Sequence, residues 1–392
     1  MRRKSTPTDP TGIRLLQYTA FVSTLDRFAI PPMFVAIATA LGAPLSQVVQ
    51  AAGTYFLAYG LMQPVWGMIS DRLGIVHTLR LTLFFSAAST AMSAFAWDPL
   101  SLGLFRCLAG AFFGAALPSA LIYIGDTVPA ERRQAQVTRL MVGLALGTAL
   151  ASVGAGALAH FVSWRLVFLG TGVAAVALAI ALRGLPEPQV RRRHRNLLVP
   201  LVRVSRSTPT LLVLALTFVE GAVVLGALTL LPPAVEATGV SSTVAGAVAG
   251  VYGVAVLGFA PLVGELSATQ RPSRLIGLGG TAAIVGCTMM AVSQQPSVAV
   301  VVAALLGLAW AAMHSSLQTW ATEVLPSIRA TVISLFASSL FVGNAVGAVL
   351  VADLAESGRY RETFLLAAAT AVPLAVAATW ARARWRGTDP GA

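Results

Sequence analysis

Four ionisable side chains stand inside otherwise apolar stretches: Asp26, Arg27, Arg106 and Glu220. At the centre of a bilayer each costs about 2.5–3.5 kcal/mol to insert. Together that is roughly 10 kcal/mol, as much as the net stability of many folded domains. Such groups cannot face lipid, so they must point inward and pair. Asp26 and Arg27 are neighbours, about 100° apart around a helix, so each needs a partner on another helix. The expected pairings are Arg106 with Asp26 and Arg27 with Glu220. A buried carboxylate opposite a guanidinium stays ionised while the pair is closed and can take a proton when it opens. Asp26, Arg106 and Glu220 are therefore the candidate proton-coupling set, with Asp26 the first choice as proton carrier. The plainer reading is a set of fixed ion pairs that lock helices together, and the residues alone leave both open.

Other side chains could add contacts to a central cavity. These are Arg27, Tyr59, Gln63, Tyr123, Tyr252, Trp310, His314 and Asn344. For the tyrosines, packing or interface anchoring is at least as good an account. His314 is expected about one turn from a helix end, as a satisfied core histidine, and Asn344 as an interhelical hydrogen-bond former. No Walker loop, no His-Glu-x-x-His and no metal-ligand spacing occurs. The two cysteines, Cys107 and Cys287, lie in apolar runs and form no framework. The chain reads as a non-enzyme without a cofactor, driven by an ion gradient or by its substrate's own gradient.

These residues need helices that cross a membrane. The 392 residues are 56% hydrophobic and 11% charged, with a mean hydropathy of +0.78. Soluble domains carry about 25% charged residues. The expectation is an all-α integral membrane protein with twelve spans between Leu16 and Ala381, each of about 20 residues. The apolar run after Met1-Arg2-Arg3-Lys4 contains Asp26 and Arg27, so it reads as an uncleaved first span. The net charge is +12 and almost wholly arginine. The arginines fall in alternate turns: Arg72, Arg80, Arg132, Arg133, Arg271, Arg274 and Arg329 share one face, whereas Arg165, Arg359 and Arg361 fall on the other. That asymmetry places both termini in the cytoplasm of a cell whose plasma membrane the chain spans. It also makes the basic charge a lipid-surface feature rather than a nucleic-acid footprint.

The halves repeat. At one constant offset, Gly53, Tyr55, Pro64, Gly67 and Ser70 fall on Gly250, Tyr252, Pro261, Gly264 and Ser267. At the same offset Gly110, Ser119, Asp126, Pro129 and Arg132 fall on Gly307, Ser316, Glu323, Pro326 and Arg329. Two pseudo-symmetric six-helix bundles are expected, 16–182 and 211–381. A basic linker at 183–210 holds Arg191-Arg192-Arg193-His194-Arg195, and 1–15 and 382–392 form cytoplasmic tails.

Between the second and third apolar runs stands Gly67-Met68-Ile69-Ser70-Asp71-Arg72-Leu73-Gly74. It is expected to be the short turn joining two spans, with Gly67 allowing close helix approach and Gly74 taking φ > 0. This pattern resembles the signature loop of the major facilitator superfamily. The basic residues usual after the second glycine are Ile75 and Val76 here, and Asp126 is the acid that would meet them. Arg106, Gly110 and Gly114 are similar to the superfamily's fourth-helix motif, whose arginine is associated with proton coupling. Gly143 to Gly156 resembles the glycine-rich helix of its exporters, with Ala151-Ser152 at the usual Gly-Pro step. The resemblance implies a conformational-switch loop formed by Gly67, Asp71, Arg72, Gly74 and Asp126. It also implies a proton-coupled monomeric transporter working by alternating access, most simply an exporter of small hydrophobic or amphiphilic compounds. Leu25-Asp26-Arg27 also resembles the first helix of the family's anion symporters. Uptake of a small organic anion is the alternative, with Arg27 and Arg106 gripping a carboxylate; a non-transporting scaffold or sensor is the third reading.

The arginine asymmetry makes a direct prediction. In a background lacking Cys107 and Cys287, single cysteines at Ser205 and Ser357 should label from opposite sides of intact cells. Labelling of both from outside would exclude this topology.

Overall fold

A computed structural model describes residues 10–188, 198–385 and 387. Among these residues there is no strand. The long helices are, in chain order, α1 (Gly12–Leu41), α2 (Leu45–Leu73), α3 (Ile75–Ala94), α4 (Pro99–Thr127), α5 (Glu131–Phe161), α6 (Trp164–Gly184), α7 (Thr208–Glu236), α8 (Ser242–Thr269), α9 (Pro272–Val292), α10 (Pro296–Val324), α11 (Pro326–Leu350) and α12 (Tyr360–Arg384). Eleven of them are long and apolar enough to cross a membrane. The other is α2, whose 29 residues would span about 43 Å. Gln47, Gln50, Gln63, Asp71 and Arg72 lower its hydropathy rather than its reach. The Arg191–Arg195 run and the N-terminal basic residues lie outside the described residues.

The repeat seen in the sequence is a packing repeat. A Cβ added at Gly110 of α4 would lie 2.3 Å from the Tyr55 carbonyl oxygen of α2. Its counterpart Gly307 of α10 faces the Tyr252 carbonyl oxygen of α8 at 3.0 Å. Each half thus locks its second and fourth helices together through a glycine that admits backbone contact.

The two halves meet along α2 with α11 and along α5 with α8. At Gly156 and Gly246 a Cβ would lie 2.3 Å from the carbonyl oxygens of Ser242 and Ser152. The Ser242 hydroxyl donates to the Gly156 carbonyl at 3.0 Å, and the Ser338 hydroxyl to the Gly60 carbonyl at 2.7 Å. Ser46 donates to the Glu356 carboxylate on the same side. All these contacts belong to the middle and the arginine-poor end. Toward the arginine-rich end the helices part. Residues 131–135 of α5 and 264–269 of α8 are exposed, and Gly67, Gly143, Gly258 and Gly264 have open space where a Cβ would stand. The molecule is closed at one membrane face and open at the other.

Two findings correct the expectation for the signature stretch. It is not a turn: Gly67 to Leu73 form the last two turns of α2, and the break is Gly74 alone, at φ +92°. Nor does Gly67 admit a close neighbour, because it lies on the parted side. The missing basic tail is replaced by something else. The Glu187 carboxylate, just beyond α6, accepts the N–H of Ile75, of Val76 at 3.0 Å and of His77 at 3.4 Å. It therefore satisfies the orphan amides at the start of α3, where the helix dipole also favours negative charge. At the opposite face α4 starts from a capping box between Asp98 and Ser101. The backbone hydrogen bond from Ser101 holds the half-buried Asp98 carboxyl below its ordinary range.

The α5–α8 contact leaves no room for a side chain. Gly246→Val should force the arginine-poor end apart and shift the population toward the opposite conformer. Spin labels at Phe161 and Val244 should then report a longer mean distance than in the parent. An unchanged distance distribution in folded protein would show that this contact does not set the conformer.

Candidate functional site

The midplane charges form three groups rather than two pairs. In the first, Arg106 of α4 meets Asp26 of α1 through two bonds, at 2.8 Å to Oδ2 and 3.2 Å to Oδ1. It also donates to the Asp26 carbonyl at 3.3 Å. The Thr171 hydroxyl of α6 donates to the same carboxylate at 3.1 Å. Tyr55 and Phe168 cover the guanidinium at 4.4 and 4.7 Å from their ring centres. Both charged side chains are fully buried. The expected Arg106–Asp26 pairing is present. Its forked geometry and extra donor compensate the desolvation of both ions.

The second group lies across the molecule. Glu220 does not meet Arg27. Its Oε2 lies 3.2 Å from Nδ1 of His314, and its Oε1 is buried with no partner among the described residues. Two breaks in helical regularity cause this. Glu220 directly precedes a π-turn in α7, Gly221–Leu225, and His314 ends another in α10, Trp310–His314. Each wide turn rotates the residues beside it, and such turns recur at functional positions. His314 lies about 15 Å from the arginine-rich end of α10, not one turn from it, because α10 runs on to Val324. Trp310 stacks on the His314 ring at 3.7 Å, and Phe336 of α11 lies 5.3 Å from it. Tyr252 of α8 meets Trp310 edge to face at 6.5 Å. Nearby, Asn344 accepts from the Thr229 hydroxyl at 3.4 Å through its Oδ1, and its Nδ2 is buried without a partner.

The third group is Arg27 itself. It is 5% exposed, yet no carboxylate meets it among the described residues. Its one hydrogen bond is to Thr24 Oγ1 at 3.4 Å, and Nε and Nη1 have none. Three rings enclose it: Phe28 at 4.9 Å, Tyr59 of α2 at 4.7 Å and Phe341 of α11 at 4.9 Å. Because Phe341 belongs to the second half, this cation stands where the halves meet, at the level from which they part. Cation–π contact offsets some of the burial but supplies no acceptor for the N–H groups. Gln63, two turns along α2 from Phe56, also carries a buried, unpartnered Nε2.

The remaining candidates sit elsewhere. Tyr123 is at the arginine-rich end, where its hydroxyl donates to the Pro186 carbonyl at 3.2 Å, so it is not part of this midplane set. Asp71 and Asp126 lie at that same end, and both have interaction partners there. Glu323 of α10 pairs with Arg382 of α12 at 2.8 Å. Sequence reasoning missed Thr171, Phe341 and Phe28. It also missed the π-turns, whose only trace in the sequence is the small residues around Gly221 and Ala311-Ala312.

Arg106 and Asp26 are each other's main compensation. Asp26→Asn should leave a buried, uncompensated guanidinium and cost about 3–5 kcal/mol. Joint replacement by Asp26→Leu and Arg106→Met should recover much of the loss. Thermal unfolding in detergent, followed by tryptophan fluorescence, would check both; equal melting temperatures for Asp26→Asn and the parent would contradict this account.

Known proteins share this architecture. Over nearly its whole length the chain can be superposed on a nucleoside transporter, with a TM-score of 0.78 at 14% identity, covering 96% of this chain and all of that one. A bacterial homologue of the human lysosomal transporter Spinster, in an inward-facing conformation, superposes with a TM-score of 0.79 at 18% identity. Among curated relatives, the gallate transporter of Pseudomonas putida is 28% identical over 130 residues, 33% of this chain and 28% of that protein. The 3-(3-hydroxy-phenyl)propionate transporter of Escherichia coli is 32% identical over 142 residues, 35% of this chain and 34% of the other. The 4-hydroxybenzoate transporter of Acinetobacter baylyi is 29% identical over 162 residues, 41% and 35% of the two chains. The alignments thus span about a third of each relative's length. The family model described as Major Facilitator Superfamily matches residues 18–327 and 213–391. With a match of that extent, twelve long helices in two repeated halves and a midplane set of charges, the chain belongs to the major facilitator superfamily and is a membrane transporter rather than an enzyme.

Proposed function

We propose that this transporter takes up small aromatic carboxylates together with protons, by alternating access. The observation that carries the reading is Arg27: a buried guanidinium with two unpartnered N–H positions, enclosed by Phe28, Tyr59 and Phe341 where the halves meet. A carboxylate fits a guanidinium fork through two parallel hydrogen bonds. An aromatic body fits the surrounding rings at offset or edge-on geometry. A purely hydrophobic cargo would leave those N–H groups unsatisfied. The relatives that transport gallate, 3-(3-hydroxy-phenyl)propionate and 4-hydroxybenzoate support the same class. The export reading has less behind it, since Ala151-Ser152 stands where the exporter helix has its Gly-Pro step.

The proton belongs with Glu220 and His314 more than with Asp26. Asp26 has four hydrogen-bond contacts to donors on two other helices, so protonating it would break a fitted ion pair. Glu220 has one oxygen on an imidazole and the other without a partner among the described residues, so a proton can add there without breaking a fitted ion pair. In this mechanism a substrate anion on Arg27 and a proton on the Glu220–His314 pair cross together. The carried charge is then near zero as the halves rock past the fixed Asp26–Arg106 clamp. Release follows at the arginine-rich face, which the positive-inside pattern places in the cytoplasm, and the transporter works as a single chain in the plasma membrane.

Proteoliposomes loaded at alkaline pH and placed in acid medium should accumulate radiolabelled 4-hydroxybenzoate. Arg27→Gln should reduce binding of the acid by about tenfold or more, as expected for loss of a charged hydrogen-bond partner. Glu220→Gln should keep downhill exchange while losing accumulation driven by the pH gradient. Accumulation by Glu220→Gln equal to the parent would move the proton elsewhere. Failure of aromatic acids to bind, alongside outward pumping of amphiphilic cations, would restore the export reading.

A further inference from the structure

Away from the midplane, a cavity of about 250 Å³ lies between α3 and α6 at the arginine-rich end. His77, Arg80 and Arg183 line its polar side, and Phe84, Val176, Ala179 and Ile180 its apolar side. The residues of α3 recur at three- and four-residue spacing, so they form one face of that helix, and those of α6 do the same. We propose that this cleft binds one anionic phospholipid, with its phosphate against Arg80 and Arg183 and an acyl chain along Phe84 and Ile180.

Four observations bear on this. First, both arginines lack a carboxylate partner among the described residues. Second, the Nε of Arg80 is buried and makes no hydrogen bond among the described residues, which leaves a donor in the cleft wall for an incoming oxygen. Third, the acid beside them is already engaged. Glu187 is turned onto the backbone N–H groups of Ile75, Val76 and His77. Fourth, the apolar wall is open to the outside of the bundle, with Phe84 59% and Ile180 52% exposed. A free inorganic anion would use the arginines but gain nothing from that wall. A zwitterionic lipid would use the wall but bring its own cation to the arginines. Arg80 lies about 8 Å along the helix from the start of α3, with the apolar Phe84 about one turn further on. Basic clefts between membrane helices on this face suit anionic headgroups.

The cleft also ties the lipid to the switch region. It begins three residues after Gly74, on the helix whose first amides Glu187 caps. A phosphate there adds negative charge near the same helix start, where the dipole favours it.

Native mass spectrometry of the full chain released from micelles would test the site. Phosphatidylglycerol and phosphatidylcholine of equal chain length should be offered together. The parent should retain one phosphatidylglycerol in clear preference. Each basic residue near an anionic surface contributes about fivefold, so Arg80→Gln with Arg183→Gln should lower that preference by about 25-fold. Arg80→Lys with Arg183→Lys should keep most of it. Melting temperatures in phosphatidylcholine alone should match among the three proteins, which excludes unfolding as the cause. Equal retention of both lipids by the parent, or a preference untouched by the glutamine pair, would overturn the proposal. So would displacement of the bound lipid by millimolar inorganic phosphate, since the site would then be one for a free anion.

Discussion

The structure depends on one constraint: a charge held in the middle of a bilayer must be compensated by protein. Asp26 and Arg106 come nearest to meeting it, with Arg106 Nε alone of their side-chain polar atoms left without a partner among the described residues. Two hydrogen bonds between the side chains, a third to the backbone, a threonine hydroxyl and two ring faces surround the pair. These contacts come from α1, α2, α4 and α6, so the clamp joins four helices of the first half into one body. A body of that kind can rock as a unit, which is what an alternating-access transporter requires.

The other two charges meet the constraint only in part, and their shortfalls differ in kind. Among the described residues, Arg27 lacks acceptors at two of its nitrogens, while Glu220 lacks a donor for one oxygen. A cation short of acceptors suits an anion from outside. A carboxylate short of a donor, already on an imidazole, suits a proton. Buried polar groups left unsatisfied are costly, and the proposed function gives these two groups an external partner. The π-turns support that view, because a regular helix would present other side chains at Glu220 and His314.

Between these groups the halves are held by backbone-to-backbone contact. Gly156 and Gly246 admit each other's helices so closely that neither position has room for a Cβ. In a membrane this packing replaces the hydrophobic effect, which lipid tails remove. It is confined to the closed end and the middle. Gly143, Gly258 and Gly264, on the same two helices, face open space.

The sequence by itself determined that the chain is helical, spans a membrane and repeats its halves, because these follow from local composition and from a constant offset. A run of 20 apolar residues has few other fates in water or lipid. It also determined that Asp26, Arg27, Arg106 and Glu220 must point inward, since the cost of facing lipid does not depend on the details of packing. Their partners were another matter. Arg106 with Asp26 was legible because the two depths agree and neither residue stands beside a π-turn. Arg27 with Glu220 was expected on the same grounds and did not form, because depth says nothing of rotation about a helix axis. One extra residue in a turn re-aims every side chain beside it, and the π-turns that set Glu220 on His314 leave no periodic mark in the sequence. The Glu187 cap on α3 likewise joins residues more than a hundred positions apart, across a break that only Gly74 announces. Pairing across helices is decided by tertiary packing, since it depends on relative rotation and translation of whole rods, which no local pattern encodes.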